Sequence, residues 1–288
     1  YIAALKREIT AHQPFACATV YFGGGTPSLL SPQQVSEILS WLDIVPGAEI
    51  TLEANPDTLS YEKLAGFRSA GVNRLSIGVQ TVYNSSLQTL GRIHDADKAA
   101  LAFKNAKAAG FENISGDLMI GLDNYSYDEM FATIDFLKEA GATHISAYML
   151  KIEEGTPFYY DTPKNLADEE QMADYYLAAC KRLADYGYSQ YEISNFSKVG
   201  VQSRHNLKYW RLQEYLGIGG ICDATAFNRS IDRACGVIDN LTHNRVENMA
   251  ENHLYIKIHR ILQPPVVPRL VLFGIFPQTR QLWCFCFS

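Results

Sequence analysis

Three adjacent glycines, Gly23, Gly24 and Gly25, run into Thr26-Pro27-Ser28 directly after the apolar stretch TVYF. Lacking Cβ atoms, such a turn lets a ligand approach the backbone, whose N–H groups can bind a carboxylate or phosphate and whose carbonyls can accept from an amine. The plainer reading is a tight turn between a strand and a helix. Glu53 follows ITL and precedes Ala-Asn-Pro-Asp, which puts a carboxylate at a strand end, able to receive two ribose hydroxyls or to serve only as a charge at a helix start. Gln80 closes RLSIGVQ and offers donors and an acceptor to a polar ligand or to water. Arg92, in LGRIHD, is a fixed positive charge that can grip a ligand carboxylate in a bidentate fork or form a surface ion pair. Asp117 lies inside the apolar ISGDLMIGL, where an ionised carboxylate requires a buried partner or a ligand.

Farther along, His205, Asn206, Tyr209 and Trp210 fall within HNLKYW. Imidazole can ligate haem iron, and Tyr and Trp offer flat apolar surface to a porphyrin. An anchored aromatic loop is the plainer alternative.

The elements that must position these groups follow one rhythm from Ala18 to Asn195: a short β-rich run, a loop, then a stretch of helical periodicity. Strands are predicted at Ala18–Phe22, Glu49–Leu52, Arg74–Val79, Ile114–Ile120, His144–Leu150 and Ser189–Ile193, and helices at Pro32–Leu42, Ser60–Ser69, Asp95–Ala109, Tyr127–Ala140 and Ala167–Tyr186. Ser31-Pro32 reads as a helix start, and Gly71, Gly110, Gly141 and Gly187 as helix ends. Strands alternating with helices require parallel pairing with right-handed crossovers, in an open doubly wound sheet or a complete or partial barrel. Polar groups at successive strand ends favour a barrel-like arrangement with its site at one mouth.

Composition narrows the function classes. The chain has 288 residues, 47% of them hydrophobic, enough for one large α/β domain. A net charge of −6 with scattered Lys and Arg provides no stripe for a nucleic-acid backbone. Leu270–Phe276, the longest apolar run near the C-terminus, falls far short of the ~20 residues a membrane helix needs. The six cysteines fit neither a compact disulfide framework nor a zinc site, which points to a reducing cytoplasm. The opening YIAALKREI has helical spacing without signal-peptide regions, and the chain reads as a fragment. After Gly219 the rhythm stops. The Pro-, Phe- and Cys-rich tail reads equally as a small subdomain or as the product of a displaced frame.

Taken together, YFGGGTPS, LEANPDTL, GVNRLSIGVQ, LGRIHD, DLMIGL and SAYMLKIEEGTPFY resemble the HemW and coproporphyrinogen-oxidase branch of radical S-adenosylmethionine (SAM) proteins, over roughly Val20–Gly219. The resemblance implies an α/β fold, the partial (βα) barrel of that family, over residues 1–195. Residues 196–288 then carry a haem-motif segment and a divergent, unassigned C-terminal region. It implies that Gly24, Gly25 and Thr26 contact the methionine end of SAM and that Glu53 holds the ribose. Gln80, Arg92 and Asp117 match the remaining cofactor-facing positions, and the backbone of Met149–Lys151 would lie beside the adenine. HNLKYW is similar to the HNxxYW motif of the haem chaperones, making His205, Asn206, Tyr209 and Trp210 the candidate haem site and a haem-accepting protein the expected partner. The alternatives are radical decarboxylation of coproporphyrinogen and a non-catalytic barrel that binds a nucleotide-like ligand or a partner.

The departures also carry expectations. The family holds a four-iron four-sulfur cluster through CxxxCxxC, a pattern absent from this sequence. If the chain starts at Tyr1, the first strand and cluster loop are missing, and the chain alone is expected to be inactive in SAM cleavage. LGIG continues as Gly220-Ile221-Cys222-Asp223-Ala224 rather than the family's small residues and His-Ser-Tyr.

Overall fold

A computed structural model describes residues 1–211, 213, 215–219 and 284–287; the other expectations for the tail lie outside the described residues. Helix α1 (Ile2–His12) leads into β1 (Ala16–Gly23) and α2 (Pro32–Leu39), then β2 (Asp43–Ala54) and α3 (Tyr61–Ala70). Strand β3 (Arg74–Gln80) is followed by the short α4 (Asn84–Thr89) and by α5 (Ala96–Ala108), and β4 (Asn113–Ile120) by α6 (Tyr127–Glu139). Next come β5 (His144–Met149), α7 (Pro157–Tyr160) and α8 (Glu169–Asp185). The described chain closes with β6 (Ser189–Gln190), β7 (Asn195–Ser197), α9 (Arg204–Trp210), β8 (Leu216–Ile218) and β9 (Cys284–Phe287).

Cap chemistry sets the helix limits. Ser31 and Gln34 form a reciprocal capping box with Pro32 in the first turn, and Ser60, Asp95 and Ser126 each accept from the backbone N–H three residues on. Gly71 ends α3 at φ 113°, a left-handed conformation that a residue with a Cβ adopts only under strain.

Among the described residues nine strands lie in the order β6-β7-β5-β4-β3-β2-β1-β9-β8, with β1 to β5 mutually parallel. This is the expected partial (βα) arrangement. The sixth unit departs from expectation. Instead of one parallel strand at Ser189–Ile193, the chain turns back on itself, with Tyr191 N–H donating to the Asn195 carbonyl. Strand β7 then pairs antiparallel with both β5 and β6. It begins at Asn195, so the segment assigned beyond that residue enters the sheet directly.

Along the five parallel strands apolar and polar side chains largely alternate, with register shifts at Cys17/Thr19 and Ile77/Gln80. Val20, Phe22, Ile50, Leu52, Leu75, Ile77, Leu118, Ile120 and Ile145 are buried against the outer helices, which supply Ile38, Leu64, Phe67, Phe103, Ile134 and Leu137. Burying one such side chain contributes about 1.5–3 kcal/mol. The opposite face carries Thr19, Tyr21, Glu49, Thr51, Glu53, Arg74, Ser76, Ser115, Asp117, His144 and Ser146, because side chains two apart share a face. Parallel sheets covered on both faces usually read as continuous apolar runs. Here the inner face is polar, which makes the concave side of the sheet a place for ligands rather than a second core.

Candidate functional site

At the carboxyl ends of β1 and β2 the glycine turn and Glu53 meet. Gly24 N–H donates to Glu53 Oε2 at 3.1 Å, and the Tyr21 hydroxyl donates to Oε1 at 2.6 Å. Each carboxylate oxygen retains acceptor capacity for a ligand hydroxyl. Gly24 and Gly25 have φ of 74° and 56°, and a Cβ at Gly23 would lie 2.7 Å from the Tyr21 ring. Glycine is therefore required both for the turn and for the close approach of Tyr21. Thr26 Oγ1 accepts from Asn55 Nδ2 at 3.2 Å, tying the turn to the end of β2.

Gln80 ends β3 at φ 67°, a conformation uncommon for a non-glycine residue. Such strain persists where the surroundings fix it and collects at binding sites. Asp117 reaches inward from β4, and Ser76 Oγ donates to its Oδ1 at 3.1 Å. Burial pushes the Asp117 carboxyl up to about 7 and the Glu53 charge adds to this, while Ser76, Ser146 and Arg92 act in the opposite direction. Glu53 is raised chiefly by burial, against the bonds from Tyr21 and Gly24. Arg92 is lowered by burial and held charged by Asp117 and Asp57. Two carboxyls and one guanidinium thus share the mouth, an arrangement suited to a ligand with hydroxyls and an ammonium–carboxylate pair. Around Met149–Lys151, Leu150 N–H donates to the Ile120 carbonyl, and Met149 is exposed.

The HNLKYW residues sit at the opposite end of the sheet. They form helix α9, not a loop, because Ser203 caps it by accepting from Asn206 N–H at 3.2 Å. Glu49 receives the first N–H groups, Arg204 at 3.1 Å and His205 at 2.9 Å, and lies 3.9 Å from Arg74. A carboxylate there satisfies orphan donors and the helix dipole together. Helix α9 forms a floor to the concave face, and Asn206 lines a small cavity with Tyr21, Thr51, Ser76, Ser146 and Ser203. In that interior Thr51 Oγ1 and Arg74 Nη2 are buried without a hydrogen-bond partner.

His205 is only 2% exposed. Its Nδ1 lies 2.9 Å from Thr19 Oγ1, its Nε2 3.2 Å from the Tyr209 hydroxyl, and its ring stacks on Tyr21 at 5.0 Å between centroids. Burial, aided by Lys208, lowers its pKa to about 3, so the ring is neutral. Tyr209 is 39% exposed and packs edge-on against Tyr215, and Trp210 is half-buried. The structure therefore brings Gly24, Thr26, Glu53 and Asp117 to one mouth, with Arg92 in their field, and keeps His205, Asn206, Tyr209 and Trp210 beneath it.

Sequence reading missed Thr19, Tyr21, Ser76, Ser146 and His144, which line the same concave face. Period-two alternation within ATVYF, RLSIGVQ and HISAYML was the available signal. His144 bonds to Ser115 at 2.7 Å and to the Tyr191 hydroxyl at 2.8 Å, and burial holds it well below the usual imidazole range.

Residues 2–137 match the family model of the radical SAM superfamily. The chain is 42% identical over 221 residues to the heme chaperone HemW of Haemophilus influenzae, covering 75% of this chain and 57% of that protein. It is 40% identical over 232 residues to the heme chaperone HemW of Bacillus subtilis, covering 76% of this chain and 61% of that protein. The chain belongs to the radical SAM family, in its HemW-type branch. This radical SAM chain thus spans roughly three-fifths of the length of those two relatives. Among solved structures, the coproporphyrinogen III oxidase HemN of Escherichia coli, a radical SAM enzyme, superposes with a TM-score of 0.64 at 23% identity. That match covers 69% of this chain and 48% of the oxidase, and it shows the shared fold.

The cofactors of the family fit unequally. The mouth offers the donors and acceptors that SAM requires. For the cluster, among the described residues no group of three or more His, Cys, Asp or Glu could hold a metal. Cys17 is buried in the core, and burial raises its thiol to about 11, far from the thiolate that iron requires. No helix among the described residues is long and apolar enough to cross a membrane.

Proposed function

We propose that this chain is the barrel portion of a haem chaperone, which binds haem and passes it to an acceptor protein in the cytosol. The observation that carries the reading is HNLKYW placed as a capped helix beneath a SAM-type mouth, in a chain about 40% identical to heme chaperones. In this reading Gly24, Gly25 and Thr26 receive the methionine end of SAM, Glu53 the ribose hydroxyls, and Gln80, Arg92 and Asp117 complete the polar wall. SAM, when bound, would supply an adenosyl group and a sulfonium charge. This chain's own residues bind and orient it.

Haem is assigned to the α9 segment. His205 is suited to ligation by one nitrogen only: Thr19 holds Nδ1 from inside, and Nε2 faces Tyr209, itself partly exposed. Metal-bound imidazoles commonly keep their second nitrogen hydrogen-bonded in this way. Ligation would exchange the Tyr209 bond for iron, with Asn206, Tyr209 and Trp210 bordering the macrocycle. The decarboxylase alternative has only the shared fold in its favour.

Haemin titration followed in the Soret region checks this. Wild type is expected to bind one equivalent, His205→Ala at least about tenfold more weakly with a changed band, and Tyr209→Phe at least as tightly as wild type. Equal affinity and spectrum for wild type and His205→Ala would remove the ligand, and no binding by wild type would remove the function.

A further inference from the structure

We infer that His205 is a positioning residue for the Glu53 carboxylate, acting through the ring and hydroxyl of Tyr21. The inference deepens the proposed SAM site, since it rests on Glu53 as the group that receives the ribose. It follows from an unbroken column of contacts running from the floor of the concave face to its mouth. At the bottom, Glu49 anchors the first turn of α9 through the backbone of Arg204 and His205 at 3.1 and 2.9 Å. Thr19, on β1, fixes the rotation of the imidazole through Nδ1 at 2.9 Å. The imidazole lies under the Tyr21 ring, 5.0 Å away and tilted by only 23°. The Tyr21 hydroxyl ends the column on Glu53 at 2.6 Å.

The glycine turn also runs close to Tyr21. A Cβ at position 23 would collide with its ring at 2.7 Å, so the ring keeps its place only beside a glycine. A tyrosine held by one hydroxyl bond can swing about its side-chain torsions, whereas one stacked on an imidazole beside a backbone turn presents its hydroxyl at one point. A carboxylate that must meet two vicinal hydroxyls loses affinity if its plane wanders, and the Tyr21 and Gly24 donors fix that plane with one bond to each oxygen. A histidine that only filled the floor would need neither the near-parallel stack nor a neighbour leading to the cofactor mouth.

The test is a double-mutant cycle on the whole chain, with S-adenosylhomocysteine as the probe and calorimetry as the readout. Glu53→Gln is the control for the underlying site and is expected to weaken binding by about tenfold or more, as the loss of a charged acceptor. Tyr21→Phe and His205→Ala are each expected to weaken it about three- to tenfold, the range of one hydrogen bond. In the Tyr21→Phe background His205→Ala should add less than about twofold, since its route to Glu53 is already cut. Full affinity in His205→Ala, or an equal loss in both backgrounds, overturns the proposal. If Glu53→Gln binds as wild type, or wild type does not bind, the ribose reading fails separately.

Positioning is then read without ligand, from the Glu53 carboxyl titration by carbon NMR. Donation from Tyr21 lowers that carboxyl. Tyr21→Phe and His205→Ala should therefore both raise its midpoint, and an unmoved midpoint in His205→Ala overturns the inference. Thr19→Val, which frees Nδ1 while keeping the buried volume, is the milder variant. It is expected to move the midpoint the same way if His205→Ala does not fold.

Discussion

Asp117 shows how a binding mouth costs stability. In the unfolded chain its carboxyl titrates near the ordinary 3.8, but in the fold burial raises it to about 7. Above pH 7 the folded protein holds an ionised carboxylate that the unfolded chain solvates better, a cost that fades as pH falls from 7 towards 3.8. Asp117→Asn should therefore stabilise the chain by about 1–2 kcal/mol above pH 7, after allowance for solvent screening of a half-buried group. The gain should vanish near pH 4, and urea midpoints across that range measure it. Affinity for S-adenosylhomocysteine, the probe of the proposed site, should fall in the same variant. His205 has the opposite sign. Its folded pKa of about 3 lies below its unfolded 6.5, so as pH drops through that interval the unfolded chain gains a proton that the fold refuses. Wild type should lose about 1.4 kcal/mol per pH unit below 6.5 relative to His205→Phe, in the same urea series.

At the scale of elements, the outer helices can lie close to the sheet because β4 places Gly116 under α6. A Cβ there would stand 2.3 Å from Leu137 Cδ2 and 3.2 Å from Phe103 Cζ. Both neighbours are fully buried and have nowhere to retreat. Gly116→Ala should destabilise by about 1–3 kcal/mol, the usual range for overpacking, and the same substitution should cost less in a Leu137→Ala background, giving partial recovery relative to additivity. Thermal melts of the single and double variants decide it. Without partial recovery, the close contact between β4 and α6 is not the cause.

For the molecule as a whole, the segment beyond Asn195 is built into the sheet. Phe196 is 1% exposed and pairs with Ile145, while α9 supports β1 through His205. Phe196→Ala should cost about 3–5 kcal/mol, as for any large core truncation. Wild-type unfolding followed by far-UV circular dichroism and by tryptophan fluorescence, with Trp210 among the reporters, should give coincident transitions. An earlier fluorescence transition would instead mark residues 196–211 as a separate unit.

Local rules were enough to make much of this legible. Caps at Ser31, Ser60, Asp95 and Ser126 and the glycine at 71 act within a few residues, so helix positions and the βα rhythm could be read directly. The glycine turn, Glu53 and Gln80 stood out at strand ends, Arg92 as a fixed charge, and Asp117 because a carboxylate conflicts with its apolar neighbourhood. The sequence by itself determined the parallel array and the polar groups at its mouth. Only the tertiary structure decided the reversal after β5, the helical form of HNLKYW and the burial of His205. Each of these depends on partners far away in the chain: Glu49 and Thr19 lie 156 and 186 residues from His205. Such contacts leave no periodic trace near the residue they fix, because they form only when separate strands and helices are brought together.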